Sequence, residues 1–118
     1  MIPEIYTEIL ARYGRSLKDI GSDDVVLPRL IALKAINALR GSNVVILGVH
    51  VVRIKNGQPE FTYDNAHCEP EDYRSTNDYR RGSWEKIEDY VITYPDPLDG
   101  TIWYSLSVAE LEQEKGTG

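Results

Sequence analysis

Apolar residues recur with a helical period at the start of the chain. Ile5, Tyr6, Ile9, Leu10 and Tyr13 fall on one face and Glu4, Glu8 and Arg12 on the other, the spacing of a helix with one side on a core. Pro3 suits a first turn and Gly14 a C-terminal cap. Residues 16–27 carry no regular period and read as irregular. Pro28 then opens a second helix that runs to about Arg40, with Gly41 as its stop. Leu30, Ile31, Ala32, Leu33, Ala35, Ile36, Ala38 and Leu39 wrap most of its circumference, and only Lys34, Asn37 and Arg40 leave a polar stripe. A helix apolar nearly all round is a core helix.

The period changes at Val44. Val44 to Ile54 is β-branched on both faces, which predicts a strand interior to a sheet. Asn56-Gly57 follows, the strongest short hairpin signal, because both residues tolerate φ > 0 in a type I′ turn. Counting back from a two-residue turn pairs Lys55 with Gln58, Arg53 with Glu60, Val52 with Phe61 and His50 with Tyr63. The Arg53–Glu60 pair favours this register, and Pro59, with no N–H for a ladder, predicts that the second strand is an edge.

Farther on, Trp84, Ile87, Val91 and Tyr94 recur at helical spacing and Pro95 ends the run. Ser75 or Ser83 is the candidate cap of this third helix, and Gly82 weighs against the longer version. Asp99-Gly100 closes a turn-rich connection. Thr101 to Val108 is the last strand, with Ile102, Tyr104, Leu106 and Val108 on one face and Trp103, Ser105 and Ser107 on the other. The expected architecture is α+β in the order α-α-β-β-α-β. It has about three helices on one face of a three-stranded antiparallel sheet of order 2-1-3. Residues 1–111 are expected to form a single domain, and 112–118 a polar tail.

Composition adds a charge pattern. The 118 residues carry a formal net charge of −6. Between Glu60 and Tyr79 there are six acids (Glu60, Asp64, Glu69, Glu71, Asp72, Asp78) and one base, Arg74, a local net of −5. Tyr63, Tyr73 and Tyr79 sit among them. An acidic balance argues against nucleic acid or an anionic membrane surface as the partner and favours a basic protein surface. No apolar run approaches the roughly 18 residues of a membrane span. The amino terminus lacks the pattern of a signal peptide, and the single cysteine, Cys68, excludes an internal disulfide framework. These features predict a cytoplasmic protein.

Candidate chemistry is sparse. His50, His67, Cys68 and Asp64 are the residues that could suggest catalysis through a Cys-His pair. His67 and Cys68 are sequence neighbours without a surrounding signature, and His50 shares a strand face with apolar residues, so no catalytic residue is assigned. His67, Cys68, Glu69 and Asp72 lack the paired spacing of a zinc site, and no metal or cofactor is expected. Trp84 reads as core. Tyr6, Tyr13 and Tyr94 fit core stripes, whereas Tyr73 and Tyr79 do not, and tyrosine is favoured at binding surfaces. Asp64, Glu69, Glu71, Asp72, Tyr73, Asp78 and Tyr79 therefore form the expected partner-binding set.

The run from Leu39 to Val49, LRGSNVVILGV, resembles one group of immunity proteins from bacterial polymorphic toxin systems, the immunity protein 40 type. So do the Asn56-Gly57 hairpin, Tyr63-Asp64-Asn65 with Cys68 after it, Asp78-Tyr79 leading to Ser83-Trp84-Glu85, and Tyr94-Pro95. The similarity covers about residues 28–108. It implies a small, non-enzymatic protein that binds and neutralises a cognate toxin, with motif residues that hold the fold while toxin-facing residues vary. The acidic face further suggests a toxin with a basic cleft, such as a nuclease. A regulatory or adaptor domain for another protein, and a small Cys/His-dependent enzyme, are the alternatives.

Overall fold

The hydrophobic pattern resolves into two layers, a sheet and the helices on one side of it. The computed structural model describes residues 2–111, and the expected tail at 112–118 lies outside the described residues. The helices are α1 (Glu4–Tyr13), α2 (Arg29–Leu39) and α3 (Thr76–Thr93), and the strands are β1 (Arg15–Ser16), β2 (Val25–Pro28), β3 (Val44–Lys55), β4 (Gln58–His67) and β5 (Ile102–Glu110).

The α+β class and three helices are as expected, but the three-stranded 2-1-3 sheet is not. The sheet has five antiparallel strands in the order β1-β2-β5-β3-β4. The stretch read as irregular contributes β1 and β2, and β2 covers the edge of β5 through Val26–Ser105, Leu27–Tyr104 and Pro28–Trp103. Pro28 ends β2 and precedes α2 with φ −69 and ψ 162, so one residue serves both elements. Its fixed φ suits an extended strand end, and its missing N–H costs nothing at a helix start.

Strand β3 is central, between β5 and β4, and β4 is an edge. The turn has Asn56 at φ 53 and Gly57 at φ 77, with Lys55–Gln58, Arg53–Glu60 and Val52–Phe61 paired as expected. The register then shifts. His50 pairs with Asn65, not Tyr63, so Thr62, Tyr63 and Asp64 all stand opposite Val51. Tyr63 takes φ 67, a conformation uncommon for a bulky residue. The Thr62 hydroxyl donates to the Val51 carbonyl at 2.8 Å, supplying a partner where the ladder is interrupted.

On the helix side, Leu27, Ile36, Leu39, Ile46, Val49, Val51, Trp84, Ile87, Val91 and Tyr104 form the main core. Each contributes about 1.5–3 kcal/mol by leaving water. The Trp84 indole N–H donates to the Val44 carbonyl at 2.8 Å, tying α3 to β3. The other face carries a smaller cluster of Leu17, Val26 and Val52 with Ile54 and Trp103 against it. Helix α1 is more peripheral than its stripe suggests. Tyr6 is buried, but Ile5 and Tyr13 are exposed, because α1 rests on one end of the layer. Exposed Leu30 likewise shows that α2 is covered on fewer sides than its composition predicts.

Helix α3 takes the longer of its two possible starts. The Ser75 hydroxyl accepts from the Asp78 N–H at 3.1 Å, an N-cap. Gly82 sits inside the helix because the Tyr73 ring covers it: a Cβ there would lie 2.2 Å from Tyr73 Cε1. At the other end Arg29 donates to the carbonyls of Val91, Ile92 and Tyr94 at 3.1, 2.9 and 2.7 Å. These are acceptors the helix itself leaves unpaired.

Candidate functional site

The acidic segment is built from the end of β4, a 3-10 turn over Pro70–Asp72 and the start of α3. Glu69, Glu71, Asp72 and Asp78 are all exposed and cluster around the N-terminal end of α3. That end carries the positive pole of the helix, which favours carboxylates. Asp64 stands apart. Its carboxylate accepts from the Tyr94 hydroxyl at 2.6 Å, and Tyr94 follows α3 at its far end. Sixteen residues of helical rise separate Asp78 from Tyr94, about 24 Å.

The two tyrosines of the expected binding set face inward. Tyr79 is 7% exposed and belongs to the main core. Its hydroxyl donates to the Cys68 carbonyl at 3.1 Å, which corrects the reading that it lies outside a core stripe. Tyr79, Ser83, Ile87 and Val91 follow one another every four residues, a signal hidden once Gly82 is taken as a break. Tyr73 is half-buried, its ring centroid 5.4 Å from that of Tyr79. Burial, then the adjacent Cys68, pushes its phenol up to about 12. Together the rings fix the turn that bears the acids.

Cys68 is buried. Burial pushes its thiol up from the ordinary value, partly offset by the Tyr73 hydroxyl, whereas a nucleophilic cysteine needs a lowered value. His67 points elsewhere. Its ring meets that of His50 edge-on at 5.6 Å, and its carbonyl accepts from Lys86. Among the described residues no three His, Cys, Asp or Glu side chains converge to hold a metal ion, and no helix is long and apolar enough to cross a membrane.

Arg80 lies over the Trp84 ring at 5.6 Å and reaches Asn43 at 3.5 Å, so it braces the core. Sequence reasoning also passed over a concave site on the sheet face away from the helices. Asp24, His50, Val51, Phe61 and Tyr63 line a pocket of about 280 Å³ there. Its only sequence signal was the expected proximity of His50 and Tyr63, and the irregular reading of residues 16–27 left out Asp24.

Neither a curated protein nor a solved structure matches the chain. The family model of immunity protein 40 matches residues 16–108, from β1 into β5, and includes the hairpin, the acidic turn and α3. With most of its length matched, the chain belongs to the immunity protein 40 family, proteins that act against bacterial toxins.

Proposed function

We propose that this chain binds a cognate toxin in the cytoplasm and neutralises it without catalysis, by docking the acidic end of α3 on a basic cleft such as that of a nuclease. The observation that carries this is the pairing of exposed Glu69, Glu71, Asp72 and Asp78 with inward-facing supports, half-buried Tyr73 and buried Tyr79. Like charges held together on a surface repel one another. Complementary charge on a partner would remove that cost and speed encounter. The supports preorganise the turn, so little ordering entropy is lost on binding. Asp64, bonded to Tyr94 just past the far end of α3, serves as a second, outlying contact. Tyr73 and Tyr79 act by holding the acids in place.

The test is association of the toxin domain encoded beside the gene, measured at two salt concentrations. Glu71→Ala/Asp72→Ala is expected to slow association and flatten its salt dependence, with dissociation little changed. Wild-type association at both salts would move the interface elsewhere. Cells carrying Cys68→Ala at normal abundance are expected to stay protected, and loss of protection would revive an enzymatic reading.

A further inference from the structure

Tyr63 is the most exposed large hydrophobic residue among the described residues, at 84%. It is held outward in mid-strand by a backbone conformation that bulky side chains avoid, φ 67. Such conformations persist where the surrounding structure over-determines them, and they cluster at ligand clamps. Here the determinants are local. Thr62 bonds to Val51 on the neighbouring strand at 2.8 Å. The Asp64 N–H donates back to the Thr62 hydroxyl at 3.1 Å, and the Asn65 side chain donates to the Tyr63 carbonyl at 3.0 Å. None of these bonds uses the Tyr63 ring. The fold bears the cost of the bulge and gains no packing from the ring it presents.

The ring borders the pocket of about 280 Å³ described above. Phe61, also exposed, is a second aromatic wall, Val51 lines it from the central strand, His50 adds an imidazole and Asp24 a carboxylate. Asp24 is half-buried. Its backbone is tied down, with the carbonyl accepting from Leu17 and the N–H donating to Ser22, but among the described residues its carboxylate has no hydrogen bond or ion pair. Aromatic rings beside an uncommitted carboxylate match a cationic side chain, and arginine meets both features best. A guanidinium stacks on rings and pairs with a carboxylate through its fork of donors.

We infer that this pocket receives an arginine side chain of the partner protein. It gives the complex an aromatic anchor on the sheet face, separate from the acidic end of α3. The inference rests on the reading of the chain as a protein-binding inhibitor. Charge complementarity selects the occupant: a chain of net charge −6 meets a basic surface, and arginine is the basic residue most enriched where binding energy concentrates.

The probe is the capped tripeptide Gly-Arg-Gly, titrated into the labelled protein and followed by amide NMR. The uncharged citrulline peptide of the same shape is the control. Saturable shifts are expected at Asp24, His50, Val51, Phe61 and Tyr63 for the arginine peptide only. Asp24→Asn is expected to weaken binding at least fivefold, and Tyr63→Gly at least tenfold. Glycine suits φ 67, so the second variant removes the ring without endangering the fold. Absent shifts, equal binding of the citrulline peptide, unchanged affinity in both variants, or shifts centred on Glu69–Asp78 would each overturn the pocket assignment. The titration needs no toxin, so its failure leaves the immunity reading standing. Failure of the salt-dependent association with toxin leaves the titration's result in force.

Discussion

At the residue scale, Tyr73 and Gly82 show how a packing requirement overrides propensity. Glycine inside a helix is about 1 kcal/mol worse than alanine, yet here alanine would place a methyl 2.2 Å from the Tyr73 ring. Gly82→Ala is therefore expected to destabilise the protein by about 1–3 kcal/mol, the usual cost of overpacking. In a Tyr73→Ala background the same change should be neutral or stabilising. Urea denaturation of the four proteins measures both values, and equal effects in the two backgrounds would refute the contact. Because the Tyr73 ring also steadies the acidic turn, the clash would reach the exposed acids of that turn.

At the scale of elements, Arg29 joins three pieces: the start of α2, the C-terminal end of α3 and the loop that leads to β5. Its guanidinium also lies 3.9 Å from Asp96, whose side chain is 4% exposed. Asp96 accepts from the Tyr104 hydroxyl as well, at 3.2 Å. Arg29→Met is expected to cost about 3 kcal/mol, since it leaves a buried carboxylate without its cation and three carbonyls without donors. Adding Asp96→Asn should recover part of that loss. Denaturant midpoints decide, and a loss below about 0.5 kcal/mol, the usual size of a surface change, would show that Arg29 is a solvated residue. The elements were unevenly legible in the sequence. The β3–β4 turn was clear because Asn56-Gly57 states its own geometry. Strands β1 and β2 were not. Val26 and Leu27 are buried on opposite faces, so β2 shows no alternation, and Pro28 advertises the helix it precedes more loudly than the strand it ends. The bulge was hidden too, since Phe61, Thr62 and Tyr63 are ordinary strand residues and no glycine marks the positive φ. That slip of register concealed the pocket. The acids themselves were visible from composition, while the inward aim of Tyr79 depended on knowing that α3 begins at Ser75.

At the scale of the whole molecule, buried phenols set an alkaline limit. Burial pushes the Tyr6 hydroxyl up to about 12, and burial with the nearby Asp96 pushes Tyr104 to about 12. Both exceed the ordinary tyrosine value near 10. The unfolded chain therefore loses these protons first. Stability is full below about pH 10 and falls as the pH rises toward 12, because the unfolded state then binds fewer protons than the native one. Thermal unfolding between pH 8 and 12 is expected to show this decline, with a shallower one in Tyr6→Phe. An identical slope in that variant would remove Tyr6 from the account.

The bulge at Thr62–Asp64 also bears on how the protein lives with its own copies. Strand β4 is the outer rail of the sheet, and an outer rail that runs long and flat invites another molecule to add a strand, then another, until a fibre grows. Here the rail is interrupted twice, by Pro59 near its start and by the kink at Tyr63. No stretch of regular, outward-facing ladder is long enough to template a neighbour. The distortion that turns the Tyr63 ring outward thus also makes this edge a poor template for another strand.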